Sequence, residues 1–89
     1  MINPDDFSVL YCLYLNNGLT DYEIDKQTSL GYPKIHRVAD SLENRGFISN
    51  MLFNRQALVY FITESGKNIV RGCLKTLEEE NYTKKKRFK

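Results

Sequence analysis

The sequence contains no tryptophan, a single histidine, and only two cysteines and two prolines among its 89 residues. A lone histidine without a histidine or cysteine cluster does not make a metal site, and none of the serines has a credible base beside it. We therefore expect no enzymatic activity and no cofactor. Cys12 and Cys73 form no CxxC pair and lie in apolar helical patterns, which are typical of small buried thiols.

Long apolar runs are also missing. The longest, Phe7–Leu15, is far shorter than the roughly 20 residues that span a bilayer. No basic segment followed by an apolar one opens the chain, so nothing resembles a signal peptide. The sequence predicts a cytoplasmic protein without a membrane partner.

Charge is unevenly distributed. Residues 84–89 hold five of the 13 basic side chains and no acid, which leaves eight basic and eleven acidic side chains in residues 1–83. Net charge therefore gives no argument for a nucleic-acid partner, and local placement must supply one. The length predicts one domain at 1–80 followed by a basic, flexible tail at 81–89. A core this small is thin, which favours pairing with a second copy.

The pattern predicts four helices and a hairpin. Asp5 and Asp6 favour a first helix that is apolar nearly all round, and Thr20 with Glu23 forms a capping box for a second, with Ile24 and Tyr22 facing inward. Pro33 suits the first position of the third helix, which is ended by Gly46. Its apolar stripe comprises Ile35, Val38, Ala39 and Leu42.

From Phe47 the period becomes that of strands. Residues 47–53 and 57–62 are rich in aromatic and branched side chains and flank a polar connector, which predicts a β-hairpin. Thr63 caps a fourth helix that fades through Glu78–Glu80. Its apolar stripe comprises Ile69, Val70, Cys73, Leu74 and Leu77.

This order of elements predicts a mainly helical α+β fold, the winged helix-turn-helix, with a three-helix core, a two-stranded wing and a C-terminal helix. The residues carry a resemblance as well. Leu42-Glu43 followed by Arg45-Gly46-Phe47-Ile48, and the later run Phe61-Ile62-Thr63-Glu64-Ser65-Gly66-Lys67, resemble MarR/PadR-type DNA-binding proteins. The chain is also similar in size and plan to small viral and plasmid adaptors such as TubR-type partition proteins.

In such a fold the third helix enters the DNA major groove and the wing reaches the flanking backbone. Arg37 can donate two hydrogen bonds to a guanine, and Lys34 can reach a guanine or a phosphate. Arg55 at the hairpin tip can enter the adjacent minor groove. Thr28 and Ser29, in the turn before the third helix, could donate to a phosphate, but ordinary turn chemistry explains these two residues equally well. His36 could contact DNA or pair with Asp40 instead. The predicted DNA-binding residues are Thr28, Ser29, Tyr32, Pro33, Lys34, His36, Arg37, Ser41, Asn54, Arg55 and Gln56.

The resemblance and the apolar first helix together predict a homodimer on the first and last helices, which would bind an inverted repeat in double-stranded DNA as a transcriptional regulator. Two alternatives stay open, namely a partition adaptor that binds centromere DNA and a protein-interaction module. The basic tail could serve DNA or an acidic protein partner. The predicted interface residues are Phe7, Leu10, Tyr11, Tyr14, Leu74 and Leu77.

Overall fold

The computed structural model describes residues 1–55 and 57–87, and over 78–87 it gives the helix backbone alone. A three-stranded antiparallel sheet lies among four helices, which confirms the predicted α+β winged-helix class. The elements are α1 (Pro4–Leu15), β1 (Leu19–Thr20), α2 (Asp21–Thr28), α3 (Tyr32–Asn44), β2 (Ile48–Phe53), β3 (Ala57–Ile62) and α4 (Glu64–Arg87).

The helix starts follow from local capping. The Asn3 side chain accepts from the backbone N–H of Asp6, and the Asp6 carboxylate accepts from that of Asn3, so α1 begins with a capping box. The predicted box at α2 is confirmed, with Thr20 and Glu23 bonded in the same way. Pro33 occupies the second position of α3, because the helix begins one residue earlier than predicted, at Tyr32.

The sheet has one strand more than predicted. β1 pairs with β3, with Leu19 opposite Tyr60 and Thr20 opposite Val59. The other side of β3 pairs with β2 from Ile48 through Phe53, which gives the strand order β1-β3-β2. A two-residue strand has no readable hydrophobic period, so only tertiary pairing reveals it.

The core lies where α1, α2, α3 and the inner face of the sheet meet, and α4 contributes Val70. The whole predicted stripe of α3 is buried. Ile24 is buried as predicted, whereas Tyr22 is exposed, contrary to the prediction, because the short α2 offers the core a single side chain. The largest fully buried side chains are Leu10, Leu13, Ile24, Ile35, Leu42, Val9 and Val70.

A tight junction joins the end of α3 to the start of α4. Gly46 has a φ of 80°, the left-handed conformation that ends α3 as predicted. The Thr63 hydroxyl donates to the Gly46 carbonyl over 2.7 Å and accepts from the Gly66 N–H, and thereby caps α4. A Cβ at Gly66 would collide with the Phe47 carbonyl oxygen. The spacing between Thr63 and Gly66 in the sequence is therefore explained by the close packing of the start of α4 against Phe47.

The helix α4 continues to Arg87, past the end at Glu78–Glu80 that the sequence predicts. The predicted tail covers residues 81–89. The side chains of these residues lie outside the described part of the chain, and so does the backbone of residues 88 and 89. Within the described part of the chain, no helix is long and apolar enough to cross a membrane.

Candidate nucleic-acid interface

A short turn sets α3 against α2. Ser29 and Gly31 have φ values of 57° and 87°, so two positions with positive φ lie within the three residues that connect the helices. The Asp25 carboxylate accepts from the Gly31 N–H over 2.8 Å, and Leu30 is half-buried against the core. These contacts hold the start of α3 in a fixed direction relative to α2, which is what a helix entering a DNA groove needs.

The buried stripe of α3 leaves its opposite face to solvent. With Ile35, Val38, Ala39 and Leu42 inside, the polar groups of the first three turns project outward. The predicted contact residues on this helix all lie on that exposed face, namely Tyr32, Pro33, Lys34, His36, Arg37 and Ser41.

Two basic side chains of this face are paired with acids of other helices. Lys34 Nζ lies 3.6 Å from an Asp5 oxygen on α1, and His36 Nε2 lies 3.0 Å from an Asp21 oxygen on α2. The predicted alternative, a pair between His36 and Asp40, is replaced by this interhelical pair. Because both pairs are exposed, each contributes little to stability and can exchange for a phosphate.

Arg37 is the cation of this face without such a partner. Among the described side chains it makes no ion pair. It lines a shallow depression together with Ser41, Arg45 and Asp6, whose carboxylate is paired with Arg45. Its guanidinium is therefore available to donate two hydrogen bonds to one planar acceptor, such as the edge of a guanine.

Tyr32 stands at the start of α3 beside His36, and their rings stack with centroids 6.5 Å apart. Desolvation, together with the carboxylates of Asp25 and Asp21, raises the pKa of Tyr32. A tyrosine phenol is protonated at neutral pH without any such shift, so Tyr32 can donate a hydrogen bond to a phosphate oxygen.

The hairpin formed by β2 and β3, called the wing below, carries two exposed polar residues at its tip. Asn54 and Arg55 have φ values of 52° and 60°, a conformation uncommon outside glycine. Gln56, the third predicted contact of the tip, lies outside the described residues. The wing tip therefore presents the Arg55 side chain to solvent on a defined reverse turn.

The turn residues Thr28 and Ser29 differ in what their side chains can offer. The Thr28 hydroxyl donates to the Ile24 carbonyl over 2.8 Å and accepts from the Leu30 N–H over 3.4 Å. Ser29 is exposed. Thr28 is thus engaged in ending α2, and Ser29 is the better candidate for a phosphate contact.

Another exposed surface runs along α1 and α4. The rings of Phe7, Tyr11 and Tyr14 stack in a row, with successive centroids 5.5 and 6.5 Å apart, and all three are half-buried. Leu77 of α4 is 50% exposed and lines an apolar groove of about 400 Å³. Ile2, Pro4, Phe7 and Cys73 are among the other residues of this groove.

One predicted interface residue needs correction. Leu10 is fully buried inside the single chain, because α1 turns it towards the core along with Val9 and Leu13. A side chain without exposed surface cannot contact a second copy. The surface on α1 and α4 that stays accessible comprises Phe7, Tyr11, Tyr14, Leu74 and Leu77, called the α1/α4 face below.

Sequence reasoning missed the acids that surround the start of α3. The sequence pattern indicates helix-start or surface positions for Asp5, Asp21 and Asp25. The residues of α3 that they face lie many positions further along the chain. Asp5 and Asp21 gave a signal only as first-turn acids of their own helices, which does not indicate a partner on α3. The structure adds their negative charge to the candidate DNA surface.

These elements define a winged helix-turn-helix: a helix pair joined by a tight turn, an exposed second helix, and a projecting hairpin. No protein-family model and no curated protein matches the sequence. Solved structures do match, and the chain has the fold of MarR-family transcription regulators.

Three of these structures illustrate the likeness. MepR, a transcription regulator of the Staphylococcus aureus multidrug efflux pump MepA, has a TM-score of 0.90 at 22% identity, covering 97% of this chain and 65% of that chain. A complex of S. aureus MepR with DNA has a TM-score of 0.83 at 21% identity, covering 97% and 73%. A MarR family protein from Bacillus stearothermophilus has a TM-score of 0.83 at 18% identity, covering 92% and 58%.

Proposed function

We propose that this protein binds double-stranded DNA sequence-specifically as a homodimer and regulates transcription. The observation that carries the proposal is the exposed face of α3, where Arg37 stands without an acidic partner among the described residues. The same fold occurs in the S. aureus MepR that was solved with DNA. The similar structures are named as transcription regulators, which fits a binding protein and not an enzyme.

The roles follow from the chemistry of each side chain. Arg37 reads a guanine through two hydrogen bonds, while Tyr32 and Lys34 hold phosphates. Lys34 reaches a phosphate by exchanging its exposed partner Asp5. Pro33, His36 and Ser41 lie on the same face of α3 and complete the surface that meets the groove.

Two further elements hold the flanking DNA. Arg55 at the wing tip enters the adjacent minor groove, where the negative potential is strong, with Asn54 and Gln56 beside it. Ser29 donates to a phosphate from the turn before α3. The five basic residues of the segment 84–89 add affinity for any DNA sequence, since they neutralise phosphates without contacting bases.

The dimer forms through the α1/α4 face. Leu77 and the aromatic row on α1 leave apolar area exposed that a second copy would bury. A two-fold dimer presents two copies of α3 in opposite senses, so the preferred DNA site is an inverted repeat. Because the chain spans 65% of the length of MepR, this mode of pairing is inferred from its own exposed side chains.

A protein-interaction module is the second candidate. It is favoured by the pairing of Lys34 with Asp5 and His36 with Asp21, which lowers the positive potential of α3. The excess of acids over bases in residues 1–83 acts in the same direction. On this alternative, α3 and the basic segment would bind a protein and not DNA.

Selection from a random pool of duplex DNA by the full-length protein tests the proposal. We expect enrichment of one inverted repeat, bound more tightly than scrambled duplexes by a factor of about 10³ or more. Failure to enrich any sequence, with only weak binding that salt abolishes, would reject sequence-specific recognition. Genome-wide mapping then separates a regulator, bound at promoters, from a partition adaptor, bound at a cluster of repeats.

A further inference from the structure

The outer strand of the wing, β2, has an open edge. On one side β2 pairs with β3, and no strand of the described chain pairs with its other side. The Thr63 N–H donates to the Phe47 carbonyl over 3.0 Å, and the register of the two strands makes these residues the next opposed pair. Because the direction of the backbone groups alternates along an antiparallel strand, Asn50 and Leu52 turn their N–H and C=O groups away from β3.

This edge is accessible and unprotected. Asn50 and Leu52 are both exposed, and their outward backbone groups are called the free edge below. β2 contains none of the lysines or prolines that usually protect an edge strand. The side chains around it are apolar, with Met51 exposed by 55%, Leu52 by 57% and Phe53 by 49%. An edge of this kind is a template for pairing with another strand.

The free edge is complementary to itself. In one antiparallel register Asn50 lies opposite the second copy's Leu52, and Leu52 lies opposite the second copy's Asn50, so each pair can exchange both of its backbone hydrogen bonds. That register is two-fold symmetric, and Met51 faces Met51 of the second copy on the axis. No like charges meet there, because Arg55, the single charged residue from Ile48 to Ile62, lies at the tip, away from the axis. A second copy therefore uses up both free edges at once.

The size of this contact indicates where it forms. A few residues of each strand bury far less than the roughly 800 Å² per partner of a stable interface, so the pairing is weak between free molecules. It becomes favourable where copies are already held close together. In the proposed dimer the wings lie beyond the two copies of α3, so two dimers at neighbouring DNA sites turn their wings towards each other. The axis between such dimers is again two-fold, as the pairing of β2 with β2 requires.

We infer that the free edge of β2 pairs with the free edge of a second copy, about a two-fold axis at Met51, and thereby joins dimers bound at neighbouring DNA sites. The partner is this same chain, and the consequence is cooperative occupation of repeated sites. The pairing itself depends on the wing alone. Its effect on DNA occupancy rests on the proposed function, since it assumes that α3 holds the dimers on DNA.

Oxidative crosslinking of the full-length protein tests the pairing without DNA. Residues opposite each other in a non-hydrogen-bonded antiparallel pair have Cα atoms about 4.5 Å apart, within the range of a disulfide. Met51→Cys should therefore crosslink to the same position of a second copy. Phe53→Cys is the matched control, because Phe53 is similarly exposed on the same face of β2 but lies two positions from the axis. We expect Met51→Cys to crosslink about tenfold faster than this control, since pairing raises the effective concentration of its partner thiol. The parent shows the background from Cys12 and Cys73.

Charged side chains on the axis test the consequence for DNA. Met51→Lys or Met51→Glu places two like charges opposite each other, which destabilises an antiparallel pair, whereas an equimolar mixture of the two variants offers opposite charges. The DNA is the selected duplex carrying one site or two, with the spacing between the two sites varied through a full helical turn. We expect the parent to bind the second site about tenfold more tightly than a single site at one spacing. Either variant alone should lose this ratio, and the mixture should recover part of it.

Equal crosslinking of Met51→Cys and Phe53→Cys would overturn the inference, whether or not the protein binds DNA. Parent-like cooperativity in both charge variants would overturn it as well, and so would a parent without cooperativity at any spacing. The proposed function survives each of these results, because binding to a single site does not need the contact. If the parent enriches no duplex, the proposed function fails, and crosslinking still decides whether β2 pairs with β2. All variants must show the parent's thermal transition.

Discussion

Arg45 and Asp6 stand 39 residues apart in the chain and form a salt bridge, with Arg45 Nη2 2.9 Å from Asp6 Oδ2. The Asp6 side chain is only 5% exposed. Arg45 also donates to the Met1 carbonyl over 2.9 Å, and its guanidinium lies over the Phe47 ring. One guanidinium thus joins the start of α1, the end of α3 and the start of the wing, and fixes how the candidate DNA surface is held.

Removing one partner of this bridge should destabilise the protein strongly. Arg45→Met leaves the buried Asp6 carboxylate without its counter-charge, which costs about 3–5 kcal/mol of the free energy of unfolding. Asp6→Asn should cost less, because the Arg45 side chain is 29% exposed and can be hydrated. Denaturant unfolding measures both, and the double variant should lose less than the sum of the two.

The exposed pair of Lys34 with Asp5 is the control for this comparison of single and double variants. Asp5→Asn should change the free energy of unfolding by about 1 kcal/mol or less, because both partners are in water. Equal losses in Asp5→Asn and Arg45→Met would show that burial does not distinguish the two bridges, and would contradict this account of the α1 to α3 junction.

The fold follows from local signals that the sequence displays. The Thr20 and Glu23 capping box, the buried stripe of α3 and the glycine after it all depend on residues within a few positions of each other. The hairpin is equally readable from its strand period. These signals were sufficient for the winged-helix class and for the exposed face of α3.

The electrostatics of the site could not be predicted in the same way. Lys34 pairs with Asp5, His36 with Asp21, and Arg45 with Asp6, across separations of 15 to 39 residues. Such partners are chosen by how the helices pack and not by sequence spacing. The burial of Leu10 could not be predicted from the sequence either, since an all-apolar helix does not show which of its residues face the core.

Arg37→Ala should separate base reading from general attraction to DNA. Loss of two hydrogen bonds to one base costs about 1–3 kcal/mol on the preferred site and relaxes the preference at one base pair. Lys75→Ala removes one positive charge from an exposed position of α4, outside the predicted contact residues, and should leave base preference unchanged. Quantitative binding to a set of single-base variants of the site measures both effects.

Deleting residues 84–89 should give the opposite pattern. Five positive charges are lost, so affinity should fall by a similar factor for every DNA sequence, with a weaker salt dependence. If the deletion changed base preference while Arg37→Ala did not, the roles assigned to α3 and to the basic segment would be reversed.

Asp21→Asn should strengthen DNA binding. The substitution frees His36 from its 3.0 Å pair and removes a negative charge from the surface that faces phosphates. We expect affinity to rise by about two- to fivefold at low salt, with the gain fading as salt screens the charge. Glu64→Gln, on α4, is the control and should have no effect; unchanged affinity in Asp21→Asn would place this end of α3 away from DNA.

Leu77→Glu should weaken the dimer. A charge on a residue that lines the apolar groove between α1 and α4 cannot be buried against a second copy without a large penalty. Sedimentation at micromolar concentration should show about twice the 10.4 kDa chain mass for the parent and a shift towards the single chain in the variant. Leu15→Glu, at a somewhat more exposed position outside that groove, should keep the parent's mass. A parent that stays a single chain at high concentration would reject this interface.

The spacing of the DNA site tests the dimer and α3 together. Two copies of α3 related by a two-fold axis reach successive major grooves on one side of the duplex, so half-site centres should lie roughly 10–11 base pairs apart, or near a multiple of that. Inserting about 5 base pairs between the half-sites turns one of them to the far side of the helix. Affinity should then fall sharply, and it should recover in part when the insertion reaches a full turn.

Leu77→Glu is the control for this prediction, because a protein that binds as separate chains should be insensitive to the insertion. Equal affinity of the parent for both spacings would mean that the two copies bind independently.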